Sequence, residues 1–86
     1  MKPIKVLILT QDDCTHCDAA LALMDRLAQE YPLSVSTLAL GSSEGQALAE
    51  KGGILFPPGI FVDGKPLCYG RPSEGRLRRA IERTLL

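Results

Sequence analysis

The sequence has no tryptophan and only one histidine, two phenylalanines and two tyrosines among its 86 residues. It also lacks a surplus of either charge, since ten Lys and Arg balance ten Asp and Glu. A balanced chain does not build the positive field that draws nucleic acid or anionic lipid, so neither is expected as a partner. No apolar run approaches the length that crosses a bilayer. The chain does not open with the charged start, apolar stretch and small-residue cleavage site of a signal peptide. A cytoplasmic protein without membrane attachment is therefore expected. Cysteine is scarce and odd in number, three in all, which argues against a structural disulfide framework. With no second Cys-x-x-Cys and no histidine pair, a closed zinc site has too few ligands, and none is expected. No internal repeat or low-complexity segment is visible.

What is present is an apolar share of 45%, enough for a core. The chain is too short for a second domain or a large ligand cavity. We read residues 1–86 as a single domain acting as a monomer. A chain of this size buries roughly 60–65% of the surface that it exposes when unfolded. Ile4 to Thr10 carries Ile, Val and Leu at odd and even positions alike, the pattern of a strand covered on both faces. From Asp18 to Tyr31 the residues Ala20, Leu23, Met24, Leu27, Ala28 and Tyr31 recur at helical spacing, and Pro32 stops the helix. Leu33 to Leu40 reads as a second strand. Ser43 opens a short helix with Gln46 as a capping-box partner, and Gly52-Gly53 ends it. Ile60-Phe61-Val62 and Lys65-Pro66-Leu67-Cys68-Tyr69 flank Asp63-Gly64, a hairpin turn, and Pro66 puts the later run at a sheet edge. Ser73 caps a last helix with Leu77, Ala80, Ile81, Thr84 and Leu85 turned inward. The order is strand, helix, strand, helix, strand, strand, helix. The strand–helix–strand unit gives a parallel pair and the hairpin an antiparallel one. The expected fold class is α/β, a mixed four-stranded sheet flanked by three helices.

Cys14-Thr15-His16-Cys17 lies between the first strand and the first helix. One turn of helix brings positions i and i+3 onto one face, so two sulfurs there can close a disulfide without moving the rest of the fold. The first sulfur meets the unpaired N–H groups and the positive dipole end of the helix, which favour a thiolate. Cys14 is thus the candidate nucleophile and Cys17 the resolving thiol. His16, the only histidine, stands between them. As an imidazolium it stabilises the thiolate and makes the disulfide more oxidising; read blandly, it is an exposed helix residue. Asp12 and Asp13 oppose the thiolate by like charge, although either can cap the helix. The alternative use of the same cysteines is a metal or iron–sulfur cluster binding or delivery module. Cys68 reads as a small apolar strand residue or as a regulatory thiol. Arg71, Arg76, Arg78, Arg79 and Arg83 make the last helix and its approach basic, either as a solvated face or as a docking patch for an acidic partner.

Phe56-Pro57-Pro58-Gly59-Ile60-Phe61-Val62 is the second informative stretch. Proline cannot donate to a ladder, so Pro57 and Pro58 belong at the beginning of a strand. Composition alone leaves Pro57–Pro58 trans, since a cis bond precedes only about 5–6% of prolines in folded proteins.

A Cys-x-x-Cys after the first strand, then proline before an Ile-Phe-Val strand and an Asp-Gly hairpin, resembles the thioredoxin-fold superfamily. Residues Pro57 to Gly64 are similar to the glutaredoxin stretch around its cis-proline, and Gly70 to Leu77 resemble the approach to the thioredoxin C-terminal helix. The resemblance implies a thioredoxin-like fold with Pro58 as a cis-proline facing Cys14. It implies a glutaredoxin-like or thioredoxin-like thiol–disulfide oxidoreductase with catalytic Cys14, Cys17 and His16. Substrate contact falls to Thr15, Pro57, Pro58, Gly59 and Arg71. Disulfide-containing proteins or small molecules are the implied substrates. No bound cofactor is implied; glutathione or thioredoxin reductase is the external electron donor. The chain departs from the usual patterns in three places. It has Thr15-His16 between its cysteines and no tryptophan before them. Its acidic approach, Asp12-Asp13, gives no help to a glutathione carboxylate. Pro57 offers an extended substrate its carbonyl but no N–H.

Overall fold

The apolar run at the N-terminus becomes β1 (Ile4–Thr10), the inner strand from which the candidate site departs. In the computed structural model, which describes residues 2–86, it is followed by α1 (Thr15–Glu30), β2 (Leu33–Ala39), α2 (Ser43–Gly52), β3 (Gly59–Val62), β4 (Lys65–Tyr69) and α3 (Glu74–Leu85). The four strands form one sheet in the order β2-β1-β3-β4. β1 runs parallel to β2 in the register Ile4↔Leu33 to Thr10↔Ala39. It runs antiparallel to β3, with Leu9 opposite Gly59, and β3 in turn pairs antiparallel with β4, with Gly59 opposite Tyr69. The end of β1, the start of β3 and the end of β4 therefore meet at one end of the sheet. The mixed sheet and the element order agree with the sequence pattern.

Two clusters form the core. On one face Ile4, Val6, Ile8, Ile60 and Val62 meet Ala20, Leu23, Met24 and Leu27 of α1 and Leu77 and Ile81 of α3. On the other, Leu9 and Phe61 meet Ala49 of α2 and Ile54. β1 is thus covered on both faces near its C-terminal end, while Lys5 near its start is exposed. The inner stripes of the helices are narrower than their spacing suggests. Ala28, Thr84 and Leu85 are exposed, and Ala80 and Tyr31 are only partly buried.

Helix ends differ from the sequence pattern by one to three residues. α1 starts at Thr15, ahead of Asp18, because Cys14 supplies its cap. Neither Asp12 nor Asp13 caps it; Asp13 instead takes a positive φ of 54° in the approach turn. At the other end Tyr31 is extended, as a residue before proline prefers. α2 is capped by Ser42, not Ser43: the Ser42 hydroxyl accepts from the Gly45 N–H at 3.0 Å. Gln46 donates to the Leu40 carbonyl at 3.1 Å, so the capping box does not form. Gly53 ends α2 in the left-handed region, φ 70°, where glycine alone is unstrained. Asp63 and Gly64 both take positive φ in the hairpin turn. A slip in register between Ile60 and Phe61 pairs Cys68 and then Pro66 across β3, so Leu67 is the extra residue of a bulge on an edge strand.

Candidate active site

Cys14 is the N-cap of α1, and its Sγ accepts a hydrogen bond from the Cys17 N–H at 3.1 Å. Serine and aspartate usually take this place by offering an oxygen to an orphan N–H. Here sulfur takes it, so the helix end acts on the atom that carries the chemistry. Cys14 and Cys17 are joined as a disulfide, with Cα atoms 5.2 Å apart. The two cysteines differ in access. Cys14 is partly exposed, whereas Cys17 keeps 2% of its surface in solvent. An incoming sulfur can therefore reach Cys14 alone. Thr15 and His16, between them, are both exposed.

The proline segment arrives at the same end of the sheet. Pro57–Pro58 is cis, as the resemblance implies and composition did not. Pro58 is buried, and its carbonyl accepts from the Gly70 N–H at 2.9 Å, which ties the segment to the end of β4. Gly59, opposite Leu9, fixes the segment beside the strand from which the cysteine loop leaves. A Cβ at Gly59 would lie 2.8 Å from Ile54 Cγ2, so the close approach requires glycine. Pro57 is partly exposed. Arg71 is exposed, directly after Gly70, and has no ion-pair partner among the described residues.

The sequence reading missed an exposed apolar patch at this end. Leu55 is 75%, Phe56 52% and Tyr69 37% exposed. The Phe56 and Tyr69 rings meet edge to face with centroids 4.9 Å apart. Gly70 gives the Phe56 ring room, since a Cβ there would lie 2.6 Å from its Cε2. The available signal was two large apolar residues, Leu55 and Phe56, placed immediately before prolines with no helical or strand period to bury them.

Cys68 sits apart from the pair. It is half-buried against the larger core cluster, and burial pushes its thiol up, opposed by the nearby Arg76 charge. That environment disfavours a thiolate and suits the apolar reading of the residue. Among the described residues no group of three or more His, Cys, Asp and Glu is placed to hold a metal ion. No helix among them is long and apolar enough to cross a membrane.

No protein-family profile matches the chain. It is 29% identical to a thioredoxin of Methanocaldococcus jannaschii over 85 residues, covering 99% of this chain and all of that one. Among solved structures it is similar to a mutant thioredoxin from Halobacterium salinarum, with a TM-score of 0.69 and 24% identity over 95% of this chain and 74% of that one. It also matches a malarial protein with a TM-score of 0.70 and 21% identity, covering 99% of this chain and all of that one. The Cys-x-x-Cys pair at disulfide distance and the thioredoxin relative together support a thiol–disulfide oxidoreductase in the general sense. The sheet order, the cysteine cap and these likenesses together support a thioredoxin-fold superfamily protein.

Proposed function

We propose that this protein reduces disulfides by a dithiol relay. Cys14, as the thiolate, attacks one sulfur of a substrate disulfide; a mixed disulfide forms and the other substrate sulfur leaves as a thiolate. The Cys17 thiolate then attacks Cys14 Sγ. The Cys14–Cys17 disulfide forms, and the second substrate sulfur leaves reduced. Two electrons have passed to the substrate, and glutathione or a thioredoxin reductase restores the dithiol. The carrying observation is the contrast in access: one sulfur caps a helix and meets solvent, and its partner is buried one turn along.

In this reading His16 stabilises the Cys14 thiolate, and Thr15 flanks the point of attack. The Pro57 carbonyl, with Pro58 and Gly59 holding its place, pairs with an extended substrate, and Arg71 meets a substrate carboxylate. The likeness to a thioredoxin over the whole chain favours a thioredoxin-type client, a protein disulfide, over a glutathione adduct. The acidic approach at Asp12-Asp13 points the same way. The reading takes residues 1–86 as one domain working as a cytoplasmic monomer.

The test is the reduction potential of the pair against glutathione, followed by regeneration with glutathione or with thioredoxin reductase. A potential near about −270 mV marks a reductant, and one near about −120 mV an oxidant. Cys17→Ser is expected to trap a mixed disulfide on Cys14. Stoichiometric metal in protein purified without oxygen, with a pair that does not cycle, would overturn the redox reading in favour of metal or iron–sulfur delivery.

A further inference from the structure

α3 divides its charges between two flanks. Glu74, Arg78 and Glu82 recur at four-residue spacing and face α1. There Arg78 donates to Glu30 through its two terminal guanidinium nitrogens, at 2.9 and 2.8 Å, and to Glu74 through Nε at 2.9 Å. Glu74 also meets Arg26 at 3.5 Å, and the Tyr31 hydroxyl donates to Glu82 at 2.6 Å. Every carboxylate of the helix is engaged on this side.

Arg76, Arg79 and Arg83, at spacings of three and four, share the opposite flank. All are exposed, and none has a carboxylate partner among the described residues. Arg76 reaches the Leu67 carbonyl at 3.3 Å, and Arg83 borders a surface depression with Lys65 and Pro66. The stripe therefore follows the β4 edge. Exposed Arg71 continues it to the end of the sheet where Gly70 is bonded to Pro58. Asp12 and Asp13 of the cysteine approach and Asp18 in the first turn of α1 lie on other elements at that end.

We propose that this flank is a docking surface for a protein partner whose disulfide is flanked by an acidic segment. The inference rests on the proposed reaction and names its partner by chemistry. Guanidinium groups without internal partners attract carboxylates at long range, and the carboxylates of the partner dock them without displacing any ion pair of this chain. A polyanion such as nucleic acid is a poorer fit. The net charge is zero, and the acidic approach repels a chain of phosphates that extends past the stripe.

The experiment compares reduction of synthetic cystine peptides that differ only in a flanking run of about ten residues of glutamate, glutamine or lysine, long enough when extended to follow the β4 edge, the run being placed on either side of the cystine. The glutamate peptide is expected to react about tenfold faster than the glutamine peptide at low salt in one of the two placements. That advantage should vanish in molar salt and in Arg76→Glu/Arg79→Glu, with the glutamine peptide and hydroxyethyl disulfide reduced at the wild-type rate. Equal rates for the acidic and neutral peptides overturn the docking surface. So does binding of single-stranded DNA or anionic vesicles that the double substitution abolishes while the peptides are not distinguished. Failure of the wild type on hydroxyethyl disulfide overturns the proposed reaction itself, a separate result.

Discussion

The two faces of the sheet do different work. The α1/α3 face carries a cluster of eleven buried residues, and the α2 face one of only four. By area alone, most of the hydrophobic stabilisation comes from the first. Yet the second cluster holds the residues that set the site. Leu9 is opposite Gly59, and Ile54 packs against Gly59 just before the segment Leu55–Pro58. One face carries most of the core, and the other holds the proline segment at the end of the sheet from which the cysteine loop leaves. A thin face suits this task, because few residues need to be exact and the apolar side chains beyond them stay free to meet a partner.

The contrast can be broken or sharpened by substitution. The largest effect belongs to Cys14→Ser. It should reduce disulfide reduction to background while leaving the melting temperature of the variant close to that of reduced wild type, read by a turnover assay beside thermal unfolding. Leu27→Ala, in the thick cluster, should act in the opposite sense. It is expected to cost about 2–5 kcal/mol of stability in denaturant unfolding, with turnover per folded molecule preserved. Gly59→Ala presses a methyl group onto Ile54. It should cost about 1–3 kcal/mol and slow reduction of protein disulfides by more than its effect on stability accounts for. Combining it with Ile54→Val should recover part of both losses. If Gly59→Ala lowers stability and leaves turnover untouched, the α2 face does not aim the segment.

The smallest expected effect lies at the rim of the thick face. Hydrogen bonding to Arg78, ahead of its charge, holds the Glu30 carboxyl below the usual carboxylate range. A depressed carboxylate contributes stability above its unfolded-state pKa, and that contribution fades as pH falls through the folded value. Hydrogen bonding to Glu82 raises the Tyr31 hydroxyl, so its contribution is present at neutral pH and fades in strong alkali. Arg78→Gln should lower the melting temperature slightly at neutral pH, and the two curves should converge at acid pH. A gap that persists at acid pH would assign the Arg78 effect to packing of its stem.

Much of this was legible in the chain because local rules wrote it. Short apolar or β-prone runs and helical apolar spacing gave the element order, Asp63-Gly64 gave the hairpin, and Pro66 gave the edge. Cys14 and Cys17 were legible because one helical turn fixes their approach. The errors lie where tertiary contacts compete with local preference. Asp12 and Asp13 are good caps by propensity, but the path from β1 puts Cys14 at the cap position. Ser42 displaces Ser43 for a local reason, its hydroxyl meeting both the Ala39 carbonyl and the Gly45 N–H three residues to either side. Thr84 and Leu85 keep helical spacing but border an open depression with Ile4, Lys5 and Asp63 and stay exposed.

By itself, then, the sequence determined the thioredoxin-like order of strands and helices and the spacing of two sulfurs, because periodicity and helix geometry act over a few residues. Tertiary structure decided the isomer at Pro57–Pro58, the exposure of Leu55, Phe56 and Tyr69, and the division of the arginines of α3 into paired and unpaired flanks. Those depend on which distant surfaces come together, and no stretch of chain holds that information within its own length.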